Sequence, residues 1–365
     1  MKSKGPHETV SRVGFLFTNK ALSRRMYDMP LQIPQIVDLA SAFYGSSILF
    51  ATLELDLYTT LANAPVRTAQ QLATTLSCDV RGLTLLLDGA VAVGLLTKQE
   101  GQYALTPASA ATLVQGAPHD LTQAIAYNRD VQPAWMQLAT LARTGKPVER
   151  PALHLGDDPA RTRRFALSMH GRAMGIGRAV IPSLRLPKGA HVLDLAGGPG
   201  TYALLMAQKD PTFSCDSYDL PAIAEVAKEI TAAYKERIQC HAGDYHVDHY
   251  AAETYDAVTL FGCLHQESPE MIVDILRRAA VALKAGGQLF VLDMMTEADH
   301  TAPTFSALFA VNMALTTDHG WAFSAEELQA WCLEAGFRDF VCSPIAPPMP
   351  HWLAVARKPI AETRS

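Results

Sequence analysis

At 365 residues the chain is longer than a single hydrophobic core usually serves, which calls for two units and argues against a one-domain binding module. With 49% hydrophobic residues, 18% charged residues and a net charge of -5, it has ample core material and no excess of positive charge. That excludes a protein whose affinity for nucleic acid or an anionic membrane comes from clustered Lys and Arg. The six cysteines, Cys78, Cys215, Cys240, Cys263, Cys332 and Cys342, form no C-x-x-C pair and read as reduced thiols of a cytoplasmic protein.

Residues 1–30 carry Lys2, Lys4, Arg12, Lys20, Arg24 and Arg25 against Glu8 and Asp28. Their apolar piece at 13–17 is too short for a signal-peptide core, so they read as an arm. Apolar residues then recur at helical spacing from Ile33, Ile36 and Val37 to Leu53 and Leu57. The spacing predicts a long helix or a broken pair, apolar on more than one face, which a second subunit could cover. No run of eighteen uninterrupted apolar residues exists, because Thr52, Glu54 and Asp56 cut the richest one, and no transmembrane span is expected.

Short helices at 68–73, 79–87 and 90–96, followed by a hairpin at 101–107, have the order of a winged helix. A DNA-reading helix needs Arg, Lys, Asn or Gln toward base edges, and the helix beginning at Asp79 offers only Arg81. The unit therefore reads as a dimerisation module. A helical segment follows with Tyr127, Arg129 and Trp135, then a stretch rich in breakers at 145–159, then a helix at 160–180. From 182 onward strands and helices alternate, with strands at 191–196, 213–220, 238–243, 255–262 and 288–294. The chain closes with a helix at 325–335 and a hairpin of 337–343 with 351–357. Alternation of this kind gives a doubly wound, mostly parallel sheet with its ligands at the carboxyl ends of the strands. The expected organisation is an arm at 1–30, a winged-helix-like dimerisation domain at 31–145, a linker with an acceptor-pocket helix at 146–181, and a catalytic domain at 182–365.

The first strand of the sheet runs into Asp194-Leu-Ala-Gly197-Gly198-Pro-Gly200-Thr201. Glycines at a strand-to-helix turn let the backbone approach a ligand, and the next helix offers free N–H groups. Taken alone, Gly198-x-Gly200-x-x-Ala203 with Asp219 downstream also fits a dinucleotide fingerprint, so the run identifies a nucleoside-like cofactor before it identifies which one. Three features select among them. Asp194 precedes the glycines, where its charge suits a cationic amino-acid group. Ala242-Gly243-Asp244-Tyr245 follows a strand and offers a carboxylate and a ring beside an adenine. Lys284-Ala-Gly-Gly287 turns into the strand ending at Asp293.

Together these motifs resemble the class I S-adenosylmethionine-dependent methyltransferases, and specifically the small-molecule O-methyltransferases typified by acetylserotonin, caffeate and phenazine enzymes. The resemblance spans about 33–357. It implies a seven-stranded, mostly parallel sheet, an N-terminal α-helical dimerisation domain and a homodimer. It also implies cofactor contacts from Asp194, Gly197, Gly198, Gly200, Asp219, Leu220, Asp244, Tyr245 and Cys263. His265 of Leu264-His265-Gln266-Glu267 matches the family's base, and Asp293 its orienting acid. A base is needed because a phenol is a poor nucleophile until its proton is leaving. A second acid should come from a Gly-x-Glu-Arg-Thr stretch, but Ala322 stands at the Glu position, and Gln266 and Glu267 replace an Asp and a Trp.

Met169 matches a family Met that packs on the acceptor, and His170 and Arg172 lie beside it. With Tyr127 and Arg129 they make a candidate acceptor pocket, where an Arg suits a carboxylate. His241, Asp244, His246, Asp248 and His249 crowd within nine residues but fit no zinc spacing, and no metal is expected. The reading is O-methylation of a small, hydroxylated, aromatic acceptor, with no nucleic-acid or membrane partner. The alternatives are S- or N-methylation of a small carboxylate-bearing acceptor, such as a methylthio-hydroxy acid, and a cofactor-sensing regulator.

Overall fold

The computed structural model describes residues 30–346 and 350–360, so the basic arm read at 1–30 lies outside the described residues except for its last position. Helices α1 (Ile33–Ser41) and α2 (Phe43–Glu54) break at Ala42 and leave Ile33, Phe43 and Tyr44 exposed. Together, Ile33–Glu54 is long and apolar enough to cross a membrane by length and composition alone, a test that the sequence reading of uninterrupted runs did not meet. The expectation counted uninterrupted runs, whereas Ser46, Ser47 and Thr52 scarcely lower the average over a helical window.

Next come α3 (Leu57–Asn63), β1 (Arg67–Thr68), α4 (Ala69–Leu76), α5 (Val80–Ala92), β2 (Leu96–Gln99) and β3 (Gln102–Leu105). The two short helices expected after Asp79 are one, α5, whose N-terminus is capped by the Asp79 carboxylate accepting from the Gly82 N–H (2.8 Å). The ribbon has a third strand, since β1 pairs antiparallel with β3. Leu57, Leu61, Leu72, Leu83, Leu87 and Tyr103 make this unit's own core.

Helices α6 (Pro107–Thr112), α7 (Thr122–Trp135), α8 (Leu138–Thr144), α9 (Ala152–Leu155) and α10 (Pro159–Val180) lead to the sheet. There β4 (His191–Leu195), α11 (Thr201–Lys209), β5 (Ser214–Asp219), α12 (Pro221–Thr231), β6 (Ile238–Ala242), β7 (Tyr255–Phe261), α13 (Pro269–Ala282) and β8 (Leu283–Asp293) alternate. The remaining elements are α14 (Thr304–Thr316), α15 (Ala325–Glu334), β9 (Arg338–Pro344) and β10 (Trp352–Arg357). The seven strands are ordered β6-β5-β4-β7-β8-β10-β9, parallel except around β10, which runs antiparallel to both neighbours. Helices cover both faces, so successive residues alternate between two buried clusters, Leu289 and Val291 in one, Phe290 and Leu292 in the other. Helix α14 has no counterpart in the sequence reading, because its apolar residues surround it rather than forming one stripe.

Candidate active site

Three loops at the carboxyl ends of β4, β5 and β7 meet in one crevice, as a doubly wound sheet requires. The turn after β4 is tight enough to demand glycine. A Cβ on Gly197 would collide with Ser217 Oγ and come within 2.6 Å of Asp194 Oδ2, and Gly200 has φ +71° with Thr231 Cγ2 2.8 Å from the Cβ position. Asp219, at the end of β5, accepts from the Gly198 N–H and the Leu220 N–H, each at 2.7 Å. It is partly accessible at the crevice, yet burial pushes its pKa up to about 6.

Asp194 is placed differently from the expectation. It is completely buried beneath the turn, accepting from Thr259 Oγ1 (2.6 Å) and from Ser217 Oγ (3.4 Å), and burial raises it to about 6. Its oxygens are occupied in holding strands together rather than facing open space.

After β6, Asp244 Oδ1 accepts from the His246 N–H (2.9 Å) and lies 2.7 Å from its Nδ1. His246 Nε2 is 3.0 Å from Glu267, whose other oxygen accepts from the Tyr245 hydroxyl (2.6 Å). Glu267 is buried, and the network joins the loop after β6 to the loop after β7. Cys263 is buried in the same place, and burial, with Asp293 and Glu267 nearby, drives its thiol pKa well up. His246 is thus engaged by two carboxylates, and His241 stacks on Tyr218 at 4.5 Å with its Nε2 3.2 Å from Asp216.

His265 is buried, with Nδ1 2.7 Å from Asp293 Oδ1, and its backbone N–H reaches Oδ2 at 3.3 Å. Phe309 of α14 packs edge-on against the imidazole, with ring centroids 4.8 Å apart. The segment that lacks the second acid still clamps this loop. Trp321 donates its backbone N–H to the His265 carbonyl (2.9 Å) and its indole N–H to the Glu267 carbonyl (3.0 Å). Ala322 is buried and brings no polar side chain to the imidazole.

The acceptor candidates divide. Tyr127 is buried, its ring 5.8 Å from Phe165 and its hydroxyl accepting from Asn312 Nδ2 (3.4 Å), while Trp135 donates its indole N–H to Asn312 Oδ1 (2.8 Å). Arg172 lies over the Tyr127 ring at 4.9 Å. His170 Nδ1 hydrogen-bonds Thr201 Oγ1 (2.8 Å) at the start of α11, and burial lowers its pKa. Met169 is half-buried on α10 beside them. Arg129 does not join this group. It is 4.0 Å from Glu54 and 3.8 Å from Asp130, and it lines a separate cavity with Phe50, Leu53 and Arg164.

Phe309, Asn312, Trp321 and His351 have no role in the sequence reading, and Glu267 enters it only as a departure from the family pattern. Glu267 was readable as a departure two residues after His265; the others carry no local signal and reach the site through tertiary packing.

Residues 150–338 match the O-methyltransferase domain, and residues 37–115 match the O-methyltransferase dimerisation domain. The chain is 29% identical over 331 residues to the tetracenomycin polyketide synthesis 8-O-methyl transferase TcmO of Streptomyces glaucescens, covering 89% of this chain and 96% of that one. It is 28% identical over 309 residues to the 3-hydroxy-5-methyl-1-naphthoate 3-O-methyltransferase of Streptomyces sahachiroi, covering 82% and 88% respectively. Its fold superposes on human N-acetylserotonin methyltransferase in complex with SAM at a TM-score of 0.81 and 24% identity, over 91% of this chain and 99% of that one.

Proposed function

Because the chain belongs to the O-methyltransferase family, we propose that it methylates the hydroxyl of a small aromatic acceptor with His265 as the base. It is an S-adenosylmethionine-dependent methyltransferase, and when bound that cofactor supplies a sulfonium methyl group for transfer. The residues fit such a cofactor. The glycine turn packs tightly on Asp194 and Ser217 and would present backbone to the ligand, Asp219 would offer a carboxylate to the ribose diol, and Asp244 and Tyr245 would flank the adenine. The two aromatic-polyketide and naphthoate relatives support an aromatic acceptor. The exposed apolar face of α1 and α2 falls largely within the dimerisation match and supports a homodimer. The six free cysteines support a reducing, cytoplasmic setting.

One observation carries the mechanism, the buried 2.7 Å contact between His265 Nδ1 and Asp293. With Nδ1–H donating to the carboxylate, the Nε2 lone pair is left to take the acceptor proton, and Asp293 stabilises the imidazolium that forms. A single acid at Nδ1 fixes the tautomer, so Ala322 in place of a second acid does not remove the base. Phe309 packs on the imidazole and Tyr127 is tied to the same helix through Asn312, so with Met169 they would wall an acceptor pocket, exclude water and hold the acceptor in line. His265→Ala should lower kcat on a hydroxylated acceptor by on the order of a hundredfold or more while leaving cofactor affinity within about twofold. Near-full turnover by that variant would mean a nucleophile with no proton to lose, and the hydroxyl would be the wrong acceptor.

A further inference from the structure

Of the five arginines on helix α10, Arg178 is exposed in the last turn, and the other four differ in their surroundings. Arg161, Arg163 and Arg164 are each within ion-pair distance of a carboxylate, Glu149, Glu229 and Asp130 respectively. Arg172, turned inward, has none among the described residues. Its Nη2 donates to the Ala124 carbonyl (3.2 Å) and to Asn128 Oδ1 (2.7 Å), which leaves Nε and Nη1 without a hydrogen-bond partner among the described residues. A partly buried guanidinium that spends two N–H groups on neutral oxygens has the fork of donors that a carboxylate fills.

A second observation points to the same place. His351 Nδ1 is buried with no hydrogen-bond partner among the described residues. Its neighbour Trp352 stands opposite Asp293 in the β8–β10 ladder, and strand alternation puts His351 on the face shared by Leu353 and Val355. That face packs against Met174 and Ile176, two and four residues beyond Arg172 on α10. Burial pushes the His351 pKa down to about 4; Asp293 opposes the shift, while His265 and Arg172 add to it. His351 is therefore neutral at ordinary pH, and it directly precedes the residue paired with Asp293, the carboxylate that holds His265. An orphaned ring nitrogen at such a place asks for a ligand atom.

We infer that the acceptor is an anion, an aromatic hydroxy acid whose carboxylate is received by Nε and Nη1 of Arg172 with an Nδ1–H of His351 beside it. This rests on the O-methylation reading, since it needs the hydroxyl turned toward His265 while the acid group is turned toward α10. Burial lowers the Arg172 pKa, as it must for a cation without a counter-ion, and an arriving carboxylate would relieve that cost. Arg129, already near Glu54 and Asp130, has no part in it.

The test is equilibrium binding to the full-length protein saturated with S-adenosylhomocysteine, comparing a hydroxynaphthoate with the matching hydroxynaphthamide by calorimetry. The wild-type protein should prefer the carboxylate by about tenfold or more. Arg172→Gln should weaken the carboxylate by roughly a hundredfold and the amide by no more than about threefold, and Arg172→Lys should keep part of the preference. His351→Phe should cost the carboxylate a smaller factor. Equal wild-type affinity for the two probes, or equal losses on both in Arg172→Gln, would overturn the anion site, and the first of these needs no variant. Failure of the hydroxyl reading looks different. The Arg172-dependent preference would survive, but no methyl ether would form when S-adenosylmethionine replaces the product.

Discussion

On the cofactor side of the crevice the deciding contacts are local: Gly198 and Asp219 lie 21 residues apart, within one strand-helix-strand unit. On the acceptor side Trp135 meets Asn312 across 177 residues, and Tyr127 meets it across 185. The first arrangement is spelled out by consecutive residues, because a tight turn and a neighbouring strand leave few solutions for the backbone. The second depends on how α7, α10 and α14 settle against one another, so many sequences can build it and its chemistry can change without disturbing the cofactor. A site divided this way keeps one reaction while its acceptor varies.

The sharpest way to break that contrast is at Gly197. Gly197→Ala forces a methyl group into Ser217 and Asp194, so the turn must shift. We expect cofactor affinity to fall on the order of a hundredfold or more, with a melting temperature lower by several degrees. An alanine variant that binds S-adenosylhomocysteine normally would show the turn to be adaptable, and the cofactor side no more constrained than the other.

Next in size is a pH effect at Asp219, whose pKa is raised to about 6. A raised carboxyl pKa means that ionisation works against the folded, cofactor-free protein. Its contribution to stability is therefore present below about pH 4 and is lost as pH rises through about 6. Hydrogen bonds from a ribose diol favour the ionised form, so affinity for S-adenosylhomocysteine should rise with pH, approaching about tenfold per unit below pH 6 and levelling above it. Calorimetry across that range should show a flat profile for Asp219→Asn. Asp194→Asn, at a carboxyl with the same raised value but its oxygens turned to Thr259 and Ser217, should leave the inflection in place. If the two variants exchanged behaviours, the original reading of Asp194 as the ligand-facing acid would be restored.

Alternation of strands and helices, the glycine turn, His265 and Asp293 were all legible, because each is fixed by neighbours in sequence or by a motif at a strand end. Asp194 is legible as a residue of the turn, but its carboxylate is buried on Thr259 and Ser217 rather than open to the crevice. Its position at a strand end says that it is near the ligand, but only the approach of Ser217 and Thr259 from adjacent strands decides which way the carboxylate turns. Arg129 and Arg172 looked alike on paper, and Glu54 and Asp130 separate them in space. Helix α14 carries no such signal because it is apolar all round, yet it brings Phe309 to His265 and Asn312 to Trp135.

Asn312 offers the smallest effect and the cleanest test of the acceptor side. Its side chain takes the Trp135 indole N–H on Oδ1 and gives Nδ2 to the Tyr127 hydroxyl, tying α14 to α7 at two points. Asn312→Ala strands the indole donor in a part-buried position, a loss worth about 1–2 kcal/mol if water does not replace the carbonyl. The walls should loosen rather than collapse, so the acceptor KM should rise several-fold and S-adenosylhomocysteine affinity should hold within about twofold. Asn312→Asp keeps an oxygen for Trp135 and should lie nearer to wild type than the alanine variant. Equal losses of acceptor and cofactor binding would mean that the two sides share a framework through α14, and that acceptor choice cannot vary as independently as the long-range contacts imply.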